Sequence, residues 1–360
     1  MDNKYSDNII KQYIAQKVNF DSFCQNIEDI IRKLLKAENI NIYSLTSRVK
    51  TVKSLENKLM KKGKKYKTIS DITDIAGIRI ITYYSDQVDI IARIIEQEFE
   101  VDKMNTIDKR VVIDPDRFGY VSLHYIVSLN DVRRNLREYE QFKNYKAEIQ
   151  IRTILQHAWA DIEHDLGYKT KNTIPKNIQR DFSRLSGLLE LADKEFLSIR
   201  NYLSEYQDYV SENINRLDQK ILIDKISLLN FLNSNQNIKK LNQQIAGFCD
   251  SSIKASDSID SILEYLQLLE IKTISELDKV LSENIDLAYY IAKKMLEGEK
   301  ESWLYDTIGL FYLFYAIISK TKNVYEISSV LNKTNIDFAD ERLNFAIDLS
   351  KYYNSFKNKN

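Results

Sequence analysis

The sequence predicts an α+β protein in which a mixed β-sheet flanked by helices is followed by an all-α C-terminal region. Three observations carry this. β-like runs cluster in the middle of the chain, at residues 77–84 (GIRIITYY), 124–129 (HYIVSL) and 147–152 (AEIQIR). Helical periodicity fills residues 1–37, 87–99 and the chain beyond Thr153, where no strand is evident. Only two prolines and eight glycines punctuate 360 residues, which favours long helices and short connections.

In order along the chain, Ile9, Ile10, Tyr13, Ile14, Phe23, Ile27, Ile30, Ile31, Leu34 and Leu35 recur at helical spacing. A basic segment follows at 48–67. The run at 77–84 is rich in isoleucine, and the one at 147–152 alternates Ile149 and Ile151 with polar neighbours, as a strand with one buried face does. Residues 99–104 or 109–113 offer further strands. A helix over 153–166 follows the AEIQIR strand directly. Residues 178–216 form a long amphipathic helix whose expected buried stripe is Phe182, Leu185, Leu188, Leu189, Leu191, Phe196 and Ile199. Residues 217–360 read as several more helices joined by polar connections such as SNQN (234–237) and SSIKASDS (251–258). The length exceeds what one core usually serves, so the chain divides into residues 1–204 and a helical accessory domain at 205–360.

Hydrophobic residues make up 44% and charged residues 29%, as in ordinary globular proteins. Lys+Arg and Asp+Glu both number 52, so no global field draws the molecule to nucleic acid or anionic lipid, and such binding needs a local patch. Cys24 and Cys249 form no metal-type spacing, which fits a reducing compartment. The first residues show neither a signal-peptide core nor an Arg-rich transit pattern. The longest apolar run, 303–318, is broken by Asp306 and Thr307 and falls short of the about 20 residues of a membrane span, so it reads as a buried helix. The expectation is a cytoplasmic protein with no membrane partner.

The polar groups concentrate. All three histidines, His124, His157 and His164, fall between residues 124 and 164, together with EIQIR and WADIEHD. Asp74 precedes one predicted strand and Glu148 opens another. If those strands are neighbours, the two carboxylates can share a hard cation such as Mg²⁺, which takes one or two carboxylates plus substrate phosphates. The plainer reading makes Asp74 a turn cap and Glu148 an exposed strand end. Arg48, Lys50, Lys53, Lys58, Lys61, Lys62, Lys64, Lys65 and Lys67 crowd into 48–67, with Arg79 on the next strand. Such a segment suits polyphosphate transfer, which rests on positioning and charge neutralisation; it equally suits a solvated helix face or an RNA-backbone patch. Neither GxxxxGK[ST] nor GxGxxG occurs, so a nucleotide must be held by side chains, and guanidinium planes can stack on its base. His157, Asp161 and His164 at i, i+4, i+7 would allow a zinc site, but no fourth ligand suggests itself. Trp159 and the FYLFY run (311–315) read as core.

The succession RVKTVKSLENK (48–58), DIAGIR (74–79), GYVSLH (119–124), EIQIRT (148–153) and WADIEHDLGYK (159–169) resembles the RelA/SpoT alarmone synthetase domain over roughly residues 20–200. The resemblance implies a sheet distantly similar to nucleotidyltransferases and an enzyme that moves pyrophosphate from ATP to a ribose 3′-hydroxyl. It implies that Arg48 and Arg79 sandwich the adenine while Lys50, Ser54 and Lys58 hold the ATP phosphates. Asp74 and Glu148 would hold Mg²⁺, and Glu148 would help deprotonate the acceptor. Tyr120, after Gly119, would stack on the acceptor's guanine, with His124, Gln150, Arg152 and His157 lining the acceptor side. Val121, the loop DPDRFGY and His157 depart from the family pattern on that same side, where Arg117 is the remaining basic residue.

Three functions follow: a synthetase using GDP or GTP, a toxic relative whose acceptor is the tRNA 3′ end, and a catalytically inactive nucleotide-sensing module. Joint retention of Arg48, Asp74, Arg79 and Glu148 argues against the third. The helices of 205–360 suggest a regulatory ligand or partner, and the resemblance implies a homo-oligomer.

Overall fold

Strand alternation organises the N-terminal half. In the computed structural model, which describes residues 2–60, 66–108, 122–169, 176–216, 220–299, 301–321, 323–334 and 341–359, the chain divides after Asn201 into two units. The first contains α1 (Asp2–Ala37), β1 (Ser44–Val49), α2 (Val52–Leu59), β2 (Ala76–Thr82), α3 (Ser85–Glu98), β3 (Phe99–Val101), β4 (Ile107–Asp108) and β5 (Leu123–Leu129). It continues through α4 (Asp131–Arg134), β6 (Ala147–Thr153), α5 (Ile154–Lys169) and most of α6 (Lys176–Asn213). The strands form one mixed sheet in the order β1-β2-β6-β5-β3, with β4 also on β5. β2 and β6 run parallel, and the other pairs are antiparallel.

The two faces of this sheet differ because side chains alternate along each strand. Ala76, Ile78 and Ile80 of β2, Ala147, Ile149 and Ile151 of β6, and Leu123, Tyr125, Val127 and Leu129 of β5 share a core with α1 and α3. Phe23, Ile27 and Ile31 of α1 and Ile91 and Ile95 of α3 complete it. The intervening residues, among them Arg79, His124, Glu148, Gln150 and Arg152, therefore stand on the other face. A register slip of one residue would exchange the two sets.

The strands expected at 77–84, 124–129 and 147–152 are present, and 99–104 supplies β3. The possible strand at 109–113 lies outside the described residues, as do Lys61, Lys62, Lys64 and Lys65. β1 was not foreseen: it lies mostly ahead of the basic segment and overlaps it only at Arg48 and Val49. It is an edge strand of polar composition with only Leu45 buried, so it lacks the apolar alternation that marks a half-buried strand.

α6 also differs from expectation. Leu185, Leu188, Leu191, Phe196 and Ile199 are exposed, Leu188 by 62%, rather than buried. Anchors on another face set the helix rotation instead. Phe182 meets Trp159 edge-on at 6.4 Å, Asp193 accepts a hydrogen bond from Thr153, and Arg200 makes two hydrogen bonds to Asp86 at 3.1 and 2.7 Å. The Arg200 guanidinium also lies 4.6 Å from the centre of the Tyr84 ring. Spacings of 11 and 7 residues keep these anchors on one side.

The second unit contains α7 (Lys225–Ser234), α8 (Gln236–Phe248), β7 (Ser252–Lys254), α9 (Asp260–Leu268) and α10 (Ile274–Met295). β8 (Trp303–Tyr305), α11 (Ile308–Ser319), α12 (Val324–Leu331) and α13 (Arg342–Lys357) follow. Its core gathers Leu228, Leu241, Leu281, Ile291, Leu313, Phe314 and Leu349. The helices agree with expectation, but β7 and β8 add a short parallel pair. The apolar run at 303–318 accordingly splits into β8 and α11. α8 and α11 pack closely: a Cβ on Gly309 would lie 2.5 Å from Asn242 Oδ1 and 2.7 Å from Ile238 Cδ1. No helix among the described residues is long and apolar enough to cross a membrane.

Candidate active site

On the polar face of the sheet, five segments distant in sequence meet. Register sets Arg48 of β1 beside Gly77, Gly77 beside Glu148, and Arg79, Gln150 and His124 in one row across β2, β6 and β5. Thr51 caps α2 by accepting a hydrogen bond from Ser54 N at 3.2 Å, and the helix then carries Ser54 and Lys58. The result is a cleft with two lobes. One, of about 220 Å³, is lined by Arg48, Lys50, Ser54, Asp74, Arg79 and Glu148, among others. The second, of about 530 Å³, is lined by His124, Arg152, Asp161 and His164, among others. Arg48, Arg79 and Gln150 belong to both, so the lobes adjoin.

Asp74 sits between two lysines: Lys58 Nζ is 2.5 Å from Oδ1 and Lys50 Nζ is 3.3 Å from Oδ2. Burial opposes ionisation of Asp74, but these two ammonium groups outweigh it and hold the carboxyl below its ordinary range. Glu148 behaves alike. Burial pushes its carboxyl up, the hydrogen bonds and charge from His124 and Gln150 outweigh that, and the charge of Asp74 opposes them. His124 Nδ1–H donates to Glu148 Oε1 at 2.9 Å, and Gln150 Nε2 donates to Oε2 at 3.0 Å. Arg152 Nη2 in turn donates to Gln150 Oε1 at 3.0 Å. His124 Nε2 is buried and has no hydrogen-bond partner among the described residues, so it is the ring nitrogen left over for a ligand.

His157 lines neither lobe. Burial first, then the charges of Arg152 and Arg79, lower its pKa against the opposing Asp161, which favours a neutral ring. Its Nδ1 is 3.5 Å from Asp161 Oδ1, an ion-pair distance without hydrogen-bond geometry. His157, Asp161 and His164 build no metal centre, because no group of three or more His, Cys, Asp or Glu among the described residues could hold an ion. Tyr120, with Gly119, Arg117 and Val121, lies outside the described residues. Among the cleft residues that escaped the sequence reading are the polar Thr46 and Thr51. Thr46 belongs to the unrecognised β1, whereas Thr51 had a legible signal as a threonine three residues ahead of Ser54 at a helix start.

The α1 helix braces this site from the apolar face. The Tyr13 hydroxyl donates to the carbonyl of Lys50, and the Cys24 thiol lies 3.5 Å from the carbonyl of Arg48 and 3.7 Å from that of Gly77. Two side chains of one helix thus hold the backbone that carries Arg48 and Lys50.

Comparison with known proteins places this architecture. Residues 47–173 match the family profile described as "Region found in RelA / SpoT proteins". The chain is 34% identical over 157 residues to the GTP pyrophosphokinase YwaC of Bacillus subtilis (strain 168), covering 43% of this chain and 71% of that one. It is 31% identical over 180 residues to the GTP pyrophosphokinase YjbM of the same organism, covering 49% and 82%. The crystal structure of small alarmone synthetase 1 from Bacillus subtilis bound to its product pppGpp aligns with a TM-score of 0.46 and 28% identity, over 54% of this chain and 99% of that one. The chain belongs to the RelA/SpoT family, the family of the GTP pyrophosphokinases.

Proposed function

We propose that the chain transfers the β,γ-pyrophosphate of ATP to the 3′-hydroxyl of GDP or GTP, forming AMP and the guanosine tetra- or pentaphosphate. The observation that carries the reading is the convergence of Asp74 and Glu148 on a lobe that also holds Arg48, Lys50, Ser54 and Arg79. Two ionised carboxylates lining one lobe, whose charges sense each other, suit a hard divalent cation; they are the right donor number for Mg²⁺, which keeps its other positions for water and phosphate. Bound there, Mg²⁺ would neutralise charge on the polyphosphate.

The remaining steps belong to side chains. Arg48 and Arg79 offer guanidinium planes to the adenine, and Lys50, Lys58 and Ser54 offer donors to the phosphates. Since Lys50 and Lys58 grip Asp74, binding of ATP exchanges one set of ion pairs for another. The acceptor 3′-oxygen attacks the β-phosphorus, the bond from that phosphorus to the oxygen bridging it to the α-phosphorus breaks, and AMP leaves with the bridging oxygen. The hydroxyl proton passes to Glu148, whose orientation His124 and Gln150 fix. The larger lobe, with Arg152 and the open Nε2 of His124, receives the acceptor; stacking on its base is the role that the family resemblance gives to Tyr120.

The test incubates purified protein and Mg²⁺ with γ-labelled ATP and, separately, GDP, GTP or deacylated tRNA. Label on the guanine nucleotide with equimolar AMP is the expected result. Label on tRNA alone would replace this reading with the tRNA-modifying one, and nucleotide binding without any transfer would make the chain a sensor.

A further inference from the structure

Asp193 is a carboxylate that the transfer reaction does not use. It lies on α6 and is only 5% exposed. The Thr153 hydroxyl donates to its Oδ2 at 2.7 Å. Thr153 is the last residue of β6, the strand that carries Glu148, Gln150 and Arg152, and α5 starts at the next residue.

The same threonine closes the start of α5. Gln156 N donates to Thr153 Oγ1 at 3.1 Å, and Thr153 N donates to Gln156 Oε1 at 2.9 Å. This is the reciprocal arrangement of a capping box, which satisfies two amides that a helix start would otherwise leave orphaned. With its oxygen serving the cap, the hydroxyl must place its hydrogen elsewhere. Thr153 is 0% exposed, so water cannot accept it, and Asp193 does. Negative charge beside the first turn of a helix is also favourable, because its unpaired N–H groups concentrate positive potential there. Burial pushes the Asp193 carboxyl above its ordinary range, against the Thr153 hydroxyl and with the help of Glu190. A costly group is therefore kept where a simple hydroxyl acceptor would suffice to close the cap.

The junction controls one wall of the cleft. Upstream it fixes Arg152, which is 4% exposed, and downstream it aims α5, whose Asp161 and His164 line the larger lobe. The smaller lobe draws mainly on β1, α2 and β2, with Glu148 and Gln150 from β6 set farther from the junction than Arg152, and the hydrogen bond from Thr153 ties Asp193 to the end of β6. We infer that Asp193 is a positioning residue for the acceptor lobe, acting through the Thr153 hydroxyl on the β6–α5 junction. This rests on the reading that the larger lobe receives the acceptor.

The experiment uses the full chain with Asp193→Ala, Asp193→Asn, Thr153→Val, Thr153→Ser and the double variant Asp193→Ala/Thr153→Val. Kinetics with GDP and ATP are paired with amide hydrogen exchange at residues 154–158. Loss of a buried hydrogen bond should raise the acceptor KM about tenfold in Asp193→Ala and in Thr153→Val, with the ATP KM within about twofold of the parent. The double variant should be no worse than Thr153→Val alone, because that variant already removes the link to Asp193 together with the cap to Gln156 N. Asp193→Asn and Thr153→Ser keep an accepting or donating oxygen and should stay within about threefold of the parent. Exchange in the first turn of α5 should accelerate only in the Ala and Val variants. Equal rises in both KM values, additive single effects, or unchanged KM values with unchanged exchange would each overturn the inference. Should Asp193→Ala fail to fold, the Thr153→Val and Thr153→Ser pair makes the same comparison. If the parent transfers nothing to GDP or GTP, the functional reading fails by itself. The junction role then stands if exchange separates Ala and Val from Asn and Ser, and falls if it does not.

Discussion

The two units use buried polar groups in opposite ways. In the first, Lys58 answers Asp74 and His124 answers Glu148, each pair joining separate strands, helices or loops. In the second, the polar groups mostly serve the backbone of helix ends, whether near or far in sequence. Asp224 and Ser227 close the start of α7, Thr273 and Glu276 close that of α10, and Asn242 accepts from Gly309 N at the start of α11. Its ion pairs Lys294–Glu297 and Lys351–Asp348 join residues three apart on helix surfaces, where such pairs contribute little. Half-buried charges that converge from distant segments impose a desolvation cost that packing alone does not require, so they mark chemistry. Polar groups that answer the nearest helix end mark folding.

The sharpest test of that contrast is Glu148→Gln. The amide keeps the size and most hydrogen bonding but loses the charge and the proton acceptor. Transfer, followed by AMP release, should fall by about 10²- to 10³-fold while thermal unfolding barely changes. A loss of less than about fivefold would remove Glu148 from the reacting atoms. In the second unit the counterpart is Phe314→Ala. Phe314 is 1% exposed and stacks on Tyr265 with ring centres 4.5 Å apart. Its loss should destabilise this unit by about 3–5 kcal/mol in denaturant titration. Binding of a non-hydrolysable ATP analogue, measured below the transition, should hold within about twofold, the remaining half of the prediction. Weakened binding would mean that packing and chemistry are not divided as described.

How much of this was legible follows the same line. β2 and β6 announce themselves because isoleucine recurs on one face, and β5 because leucine, tyrosine and valine do. Asp74 and Glu148 were readable as partners only on the supposition that their strands are neighbours, which the β2–β6 register satisfies. β1 was not readable, because an edge strand needs few apolar residues. Nor was the rotation of α6: its leucines outnumber its polar anchors, and periodicity cannot tell that Asp193 and Arg200 meet Thr153 and Asp86. The bracing of Lys50 by Tyr13 joins residues 37 apart and leaves no local pattern.

That brace gives a smaller prediction. Tyr13 is 0% exposed, and Tyr13→Phe leaves the ring but removes the donor to the Lys50 carbonyl. Stability should fall by about 1–2 kcal/mol, and the ATP KM should rise severalfold with the acceptor KM nearly constant. The reverse split would show that α1 supports the other lobe.

The smallest effect concerns pH, and its sign separates cleft from clamp. Asp74 and Glu148 have folded pKa values below their ordinary ones. Their contribution to stability is complete above the ordinary carboxylate range and is lost only as pH falls through the lower folded values. These two groups therefore add almost nothing to any decline between pH 7 and 5. Asp193 acts in the opposite sense, since burial raises its folded value. The folded chain holds that proton more tightly than the unfolded chain, so its contribution declines as pH rises from the ordinary aspartate range through the folded value. Asp193→Asn removes this dependence while keeping an acceptor for Thr153. Its Tm should match the parent in acid and exceed it by no more than about 3 °C near neutrality. A parent that is the more stable of the two at neutral pH would mean that the charge itself, through the α5 helix start, contributes more than its burial costs.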